Sequence, residues 1–273
     1  MRFIDPSMSP EAVAHVDSLL SCVRQAEGVH LPWAIESGSR AWGFPSPDSD
    51  YDCRFLYVRP ADQVLSLWPR RDVIETPLVG DMDVNGWDLA KALRLLLKGN
   101  AVVVEWLTSP IVYSGDPVFR DEVLAFAGRW LDRDRVAAHY LHLGRRQDVL
   151  HLAGQADAPL KKLFYVLRPA AALRWLRLHP DRAVAPMHFP TLLAEGALSA
   201  EVTDTVDRLI AQKAVTREMG AAPPPAVLME FARNEFGLAD GWITEPGSPS
   251  NEARAAADAL FRSITRRLDA EAV

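Results

Sequence analysis

Two apolar runs, LPWAIE at 31–36 and YDCRFLYVR at 51–59, enclose a stretch rich in glycine, serine and proline, and that layout most constrains the fold. Both runs carry the β-branched and aromatic content of strands, so the chain must leave a strand, turn tightly and enter another. In the second run, period-two alternation sends Tyr51, Cys53, Phe55 and Tyr57 to one face and leaves Asp50 and Asp52 together on the other. The apolar face needs burial, which fixes the acids on a rigid element. Their Cα atoms should stand roughly 6 to 7 Å apart, and two hard oxygen ligands on one face suit a divalent ion such as magnesium.

The turn itself, ESGSRAWGFPSPDSD, places Gly38-Ser39 directly after the first strand. Glycine lets a backbone approach closely, and N–H groups together with the Ser39 hydroxyl can point at an anion such as a triphosphate. A two-metal phosphoryl-transfer site usually needs a further carboxylate from a neighbouring strand. Asp83, in the strand-like DMDV, is the first choice, and Asp81 shares its face. Asp88 reads better as a helix-start residue, three positions after Asn85.

The first part of the chain mixes strands and helices, whereas helical periodicity dominates from about residue 119. The expected class is α+β, divided into a domain over 1–118 and a helical domain over 119–273. Expected elements of the first are a helix over 9–27, the two strands above, strands at DVIETPL and DMDV joined at Val79 and Gly80 as a hairpin, a helix over 87–98 closed by Gly99, a short helix AVVVEWL capped by Asn100, and a strand at PIVYS. The second offers helices at about 119–130, 134–153, 158–178, 199–217, 224–236 and 250–269, the last capped by Ser250. Pro169 should kink or split the third of these, because it lacks an N–H and its ring clashes with the preceding turn.

Composition excludes several classes. Hydrophobic residues make up 49% and charged residues 24%, which is ordinary globular usage, and no apolar run approaches the roughly 20 residues of a membrane span. With no leader-like start and two cysteines, Cys22 and Cys53, outside any ligand spacing, the expectation is a soluble, cytoplasmic protein with no membrane partner. A net charge of −6 argues against coating nucleic acid with the whole surface. Yet 129–182 holds eleven Lys and Arg against five Asp and Glu, so a basic patch for RNA is expected in the helical half. Lys91 and Lys98, seven apart on a helix, read equally well as a solvated stripe, and Glu105 reads as surface.

Gly38-Ser39, the Asp50-Tyr51-Asp52 triplet eleven residues on, the Ala41-Trp42-Gly43-Phe44 insert, then Trp87-Asp88-Leu89, Lys98-Gly99-Asn100 and Glu105-Trp106-Leu107 together resemble the DNA polymerase beta-type nucleotidyltransferases, in particular their bacterial RNA-repair-pathway branch, RlaP. The resemblance implies a mixed-sheet nucleotidyltransferase core followed by a helical C-terminal domain. It implies magnesium or manganese held by Asp50, Asp52 and Asp83, and an NTP whose phosphates rest on Gly38 and Ser39. Smaller relatives place an arginine where Trp42 stands, which leaves Arg40 as its nearest substitute. Lys161, Lys162, Tyr165 and Arg168 resemble the helix that such enzymes bring toward the nucleotide. The implied activity moves a nucleoside monophosphate from an NTP to an acceptor hydroxyl, with an RNA end favoured. Transfer to a small molecule or protein acceptor, and a non-catalytic nucleotide-binding scaffold, stay open as alternatives.

Overall fold

The computed structural model describes every residue except Val79, Glu218, Glu245, Pro246 and Val273. In chain order the elements are α1 (Pro10–Glu27), β1 (His30–Glu36), α2 (Gly38–Trp42), β2 (Tyr51–Val58), α3 (Ala61–Val64), β3 (Val73–Glu75), β4 (Met82–Asp88), α4 (Leu89–Leu97), α5 (Ala101–Leu107), β5 (Val112–Gly115), α6 (Pro117–Trp130), α7 (Arg133–His151), β6 (Ala158–Pro159), α8 (Leu160–Leu178), α9 (Phe189–Glu195), α10 (Ala200–Val215), β7 (Ala221–Ala222), α11 (Ala226–Trp242) and α12 (Asn251–Glu271). The fold is α+β. Helix starts follow local chemistry: the side chains of Ser9, Asp88, Asn100, Asp116, Asp132, Ser199 and Ser250 each accept from a first-turn N–H.

Five strands form one sheet in the order β3-β4-β2-β1-β5. Only β2 and β4 run parallel; every other neighbouring pair is antiparallel. A parallel neighbour needs a crossover, and α3 with β3 supplies it. The consequence is that β2 and β4 begin at the same end of the sheet. One face buries Tyr51, Cys53, Phe55 and Tyr57 against Val13, Val16, Leu20 and Val23 of α1. The other buries Trp33, Ile35, Leu56 and Val58 against α4, α5, α6 and α12. The final helix therefore completes the core of the sheet despite its distance in sequence. A separate core gathers α7, α8, α9, α10 and α11.

Several elements differ from expectation. The β3–β4 pair is antiparallel as a hairpin requires, although Val79 of its expected turn lies outside the described residues. β4 continues through Asn85, Gly86 and Trp87, so the cap of α4 is Asp88, accepting from Ala90 N at 2.7 Å, and not Asn85. Gly86 permits this: a Cβ there would stand 2.1 Å from the Phe55 ring on β2. The helix α8 runs unbroken through Pro169, which is buried. A mid-helix proline costs about 3 kcal/mol, and α8 offsets that by burying 13 of its 19 residues, Pro169 itself packing beside Gly144 of α7. The short α3, α9 and the two-residue β6–β7 pair carry too little periodicity to be read from sequence.

Glu105 is not a surface acid. It is 4% exposed, accepts from Arg168 at 2.7 and 3.3 Å, and accepts from the Tyr140 hydroxyl at 2.7 Å. This ties α5 to α7 and α8. Arg168, 5% exposed, also lies 4.2 Å over the Trp42 ring. Breaking one side of such a buried pair strands the other charge. Arg168→Met should lower unfolding stability by about 3–5 kcal/mol, and adding Glu105→Gln should recover most of that loss. Denaturant melts of the two variants check this, and equal losses in both would contradict it.

Candidate active site

The end of the sheet where β2 and β4 begin holds the acidic residues. Asp52 and Asp83 are direct partners in the parallel register, which sets their backbones about 4.8 Å apart. Both side chains are partly exposed, on the same face of the sheet as Leu56. Asp50 is exposed just before β2. Burial raises the Asp52 carboxyl above the usual range; Arg54 opposes that shift, and the charges of Asp83 and Asp50 add to it. Asp81 sits in the preceding turn, where its carbonyl accepts from Tyr51 N at 2.8 Å, and Asp88 is committed to capping α4. Of the acids considered from sequence, Asp83 is the one the sheet brings to Asp52.

The turn is fastened to this edge from two sides. Ser37 N donates to Asp52 O at 2.8 Å, and Asp52 N donates to Glu36 Oε1 at 2.9 Å. Gly38 has φ +63°, and a Cβ built on it would fall 2.0 Å from Asp52 Oδ2. Only glycine leaves room beside that oxygen. Gly38 opens α2, whose N-cap Ser37 makes no side-chain capping bond among the described residues. Ser39 Oγ donates to Ser49 Oγ at 2.8 Å, folding the 46–49 loop over the turn. Arg40 holds that loop from behind, donating to the carbonyls of Ser49 (2.6 Å) and Asp50 (3.1 Å) while its guanidinium lies 4.0 Å over Tyr51. Arg40 is thus committed to the loop carbonyls and to Tyr51, while its charge still acts to lower the Asp52 carboxyl.

From the helical half, Lys161 of α8 pairs with Asp48 at 3.1 Å, and Lys162 lies 5.2 Å from the Tyr165 ring centre. Tyr165 meets Trp42 edge-on at 5.9 Å, and its phenol is raised by burial first and then by the charges of Asp52 and Asp50. Lys161 thus reaches the 46–49 loop and Tyr165 lies near the acids, with Lys162 beside its ring, whereas Arg168 is turned inward to Glu105. The basic surplus of this half is also largely paired: Glu235 takes Arg174 and Arg177, and Asp240 takes Arg145. These acids come from outside the basic window, so the surplus counted in sequence overstates the exposed positive surface.

Four residues at the site were missed from sequence. Arg54 stands between Asp52 and Asp83, and its position two after Asp52 was a readable signal. Asn85 donates to Asp83 Oδ1. Lys213 of α10, 4% exposed, donates to Phe44 O at 2.6 Å; burial pulls its ammonium down to about 8, and nothing local in sequence marks it. Glu36 is fully buried beneath Asp52. Its Oε2 accepts from the Tyr113 hydroxyl at 2.5 Å, yet burial outweighs this and pushes its carboxyl up to about 8.

The Glu36 shift has a definite sign. The folded protein keeps this proton up to about pH 8, whereas the unfolded chain releases it near 4.5. The folded state therefore binds more protons across that window, and its stability falls as pH rises through it. Glu36→Gln, which stays neutral, should remove that slope. The wild-type melting temperature should drop relative to the variant between pH 5 and 8, at about 2–4 °C per kcal/mol for a chain of this size. Parallel melting curves against pH would contradict the assignment.

A model of the RNA repair pathway DNA polymerase beta family, RlaP, matches residues 13–263. "Uncharacterized protein YcgL" of Bacillus subtilis (strain 168) is 37% identical over 217 residues, covering 80% of this chain and 82% of that protein. The match spans the sheet, the carboxylate edge and most of the helical half, and the chain belongs to the RNA repair pathway DNA polymerase beta family.

Proposed function

We propose that the protein is a divalent-metal-dependent nucleotidyltransferase, moving a nucleoside monophosphate from an NTP to an acceptor hydroxyl, with an RNA end as the acceptor. One observation carries the reading: the in-register Asp52 and Asp83 share one edge of the sheet with a glycine turn so close to Asp52 Oδ2 that no other residue fits there. The family, whose description names RNA repair, supports the choice of acceptor. The domain over 1–118 would hold the chemistry, and that over 119–273 would close on the nucleotide, with α6 and α12 packed onto the sheet.

Asp50, Asp52 and Asp83 offer hard oxygens of the kind that magnesium or manganese takes. Among the described residues no three such groups converge closely enough to close around an ion, and Arg54 stands between two of them. The donor chemistry, three carboxylates at one edge of the sheet, nevertheless suits the ion. When bound, it would supply Lewis acidity for the acceptor hydroxyl and neutralise charge on the departing pyrophosphate. The protein's own groups do the rest. First-turn N–H groups of α2 and the Ser39 hydroxyl orient the phosphates, once Ser39 releases Ser49. Lys161 and Lys162 approach the same anion from α8, at the point where Lys161 now holds Asp48. Asp83, the register partner of Asp52, would be the group that takes the proton of the acceptor hydroxyl. The acceptor oxygen bonds to the α-phosphorus, and the bond from that phosphorus to the bridging oxygen breaks.

Incubation with magnesium, each labelled NTP and a panel of RNA ends, proteins and small hydroxyl compounds tests the reading. Label should pass to RNA, and Asp50→Asn with Asp52→Asn should reduce transfer by more than roughly a hundredfold without unfolding the chain. Label on a protein or small molecule would keep the chemistry and reject the acceptor. Tight NTP binding with no transfer to any acceptor would reject the enzyme.

A further inference from the structure

Arg54 is the side chain at this edge that the mechanism above does not use. Its Nη2 lies 3.1 Å from Asp52 Oδ1 and 2.6 Å from Asp83 Oδ2, bridging the two acids. Its Nη1 donates to the carbonyls of Asp83 (2.8 Å) and Cys53 (3.0 Å), one on each of the parallel strands. The side chain is only 19% exposed. A guanidinium anchored at one end to two backbone carbonyls is a fixed fork, since swinging away would strand both acceptors as well as both acids. Asn85, its register partner, donates to the remaining oxygen of Asp83. Both oxygens of Asp83 are thereby held, while Asp52 Oδ2 faces Gly38.

We propose that Arg54 is a positioning residue and built-in counter-cation: it holds Asp52 and Asp83 at one spacing and limits how tightly their cluster takes a divalent ion before nucleotide arrives. The proposal rests on the nucleotidyltransferase reading of the same acids. Three ionised carboxylates and one guanidinium leave a formal charge of −2, which one divalent ion balances. Further positive charge is then favoured only when a triphosphate brings compensating negative charge. The arrangement keeps the carboxylates apart and oriented without a resident ion, because opposite charge at close range offsets their mutual repulsion.

The test is Mn2+ binding to the full chain without nucleotide, read by the electron paramagnetic resonance signal of free Mn2+. Arg54→Met removes the charge and should tighten Mn2+ binding about tenfold, the size expected for one unit charge near a partly exposed ion. Arg54→Lys keeps the charge without the fork. It should leave Mn2+ affinity within about twofold of wild type while lowering kcat more than it changes KM for NTP. Melting temperatures verify that each variant is folded. If Arg54 merely staples two strands, both variants lose stability and neither changes Mn2+ affinity, which overturns the proposal; weaker Mn2+ binding in Arg54→Met overturns it as well. Asp50→Asn with Asp52→Asn separates the layers. If wild-type Mn2+ binding survives that double substitution, the metal-site reading falls and the Arg54 proposal falls with it. If it is lost while Arg54→Met binds as wild type does, only the Arg54 proposal falls.

Discussion

The parallel pairing of β2 with β4 is the constraint from which the rest of the site follows. An antiparallel neighbour would have put the start of one strand beside the end of the other and separated Asp52 from Asp83 by the length of the sheet. Parallel register instead sets Asp52 opposite Asp83 and Arg54 opposite Asn85. Alternation then aims all four side chains at one face. Both faces of β2 are buried further along, so a one-residue slip would turn the acids toward α1 and carry the rings of Phe55 and Tyr57 to the opposite face. The same forces that hold the sheet together hold the carboxylates in place.

Around that edge the helical half grips the turn at several points. Arg168 from α8 joins Glu105 to Trp42, Lys161 reaches Asp48, and Lys213 from α10 holds the carbonyl of Phe44. Phe44 in turn stacks on Phe164 of α8 at 4.8 Å. The segment between Ser39 and Asp50 is therefore as much a part of the helical core as of the sheet. Movement of α8 on nucleotide entry would be felt directly at the turn, which is a physical reason for placing cations of the second half on the loop of the first.

Local signals were readable where local physics decides. The period-two faces of β2, the caps at Asn100 and Ser250 and the Gly38 turn all rest on residues within a few positions of one another, and the structure has them. Features that depend on distant partners were not readable. Glu105 looked like surface because nothing nearby in sequence names Arg168, and the basic surplus looked like a patch because Glu235 and Asp240 lie far down the chain. Pro169 marked a kink or a split on local grounds, and α8 is not split, its neighbours burying the proline. Arg54 is the instructive case. Its spacing from Asp52 was visible, but its meaning depends on Asp83, which only the parallel register brings near.

The account stands or falls on where a divalent ion and a nucleotide tail meet. A crystal of the chain with Mn2+ and a non-hydrolysable NTP, measured at the manganese absorption edge, reads that position directly. The expected result is an anomalous peak about 2.0–2.3 Å from an Asp52 oxygen, with the triphosphate along the first turn of α2. A nucleotide seated away from that turn, or a peak remote from both Asp52 and Asp83, would contradict the assignment.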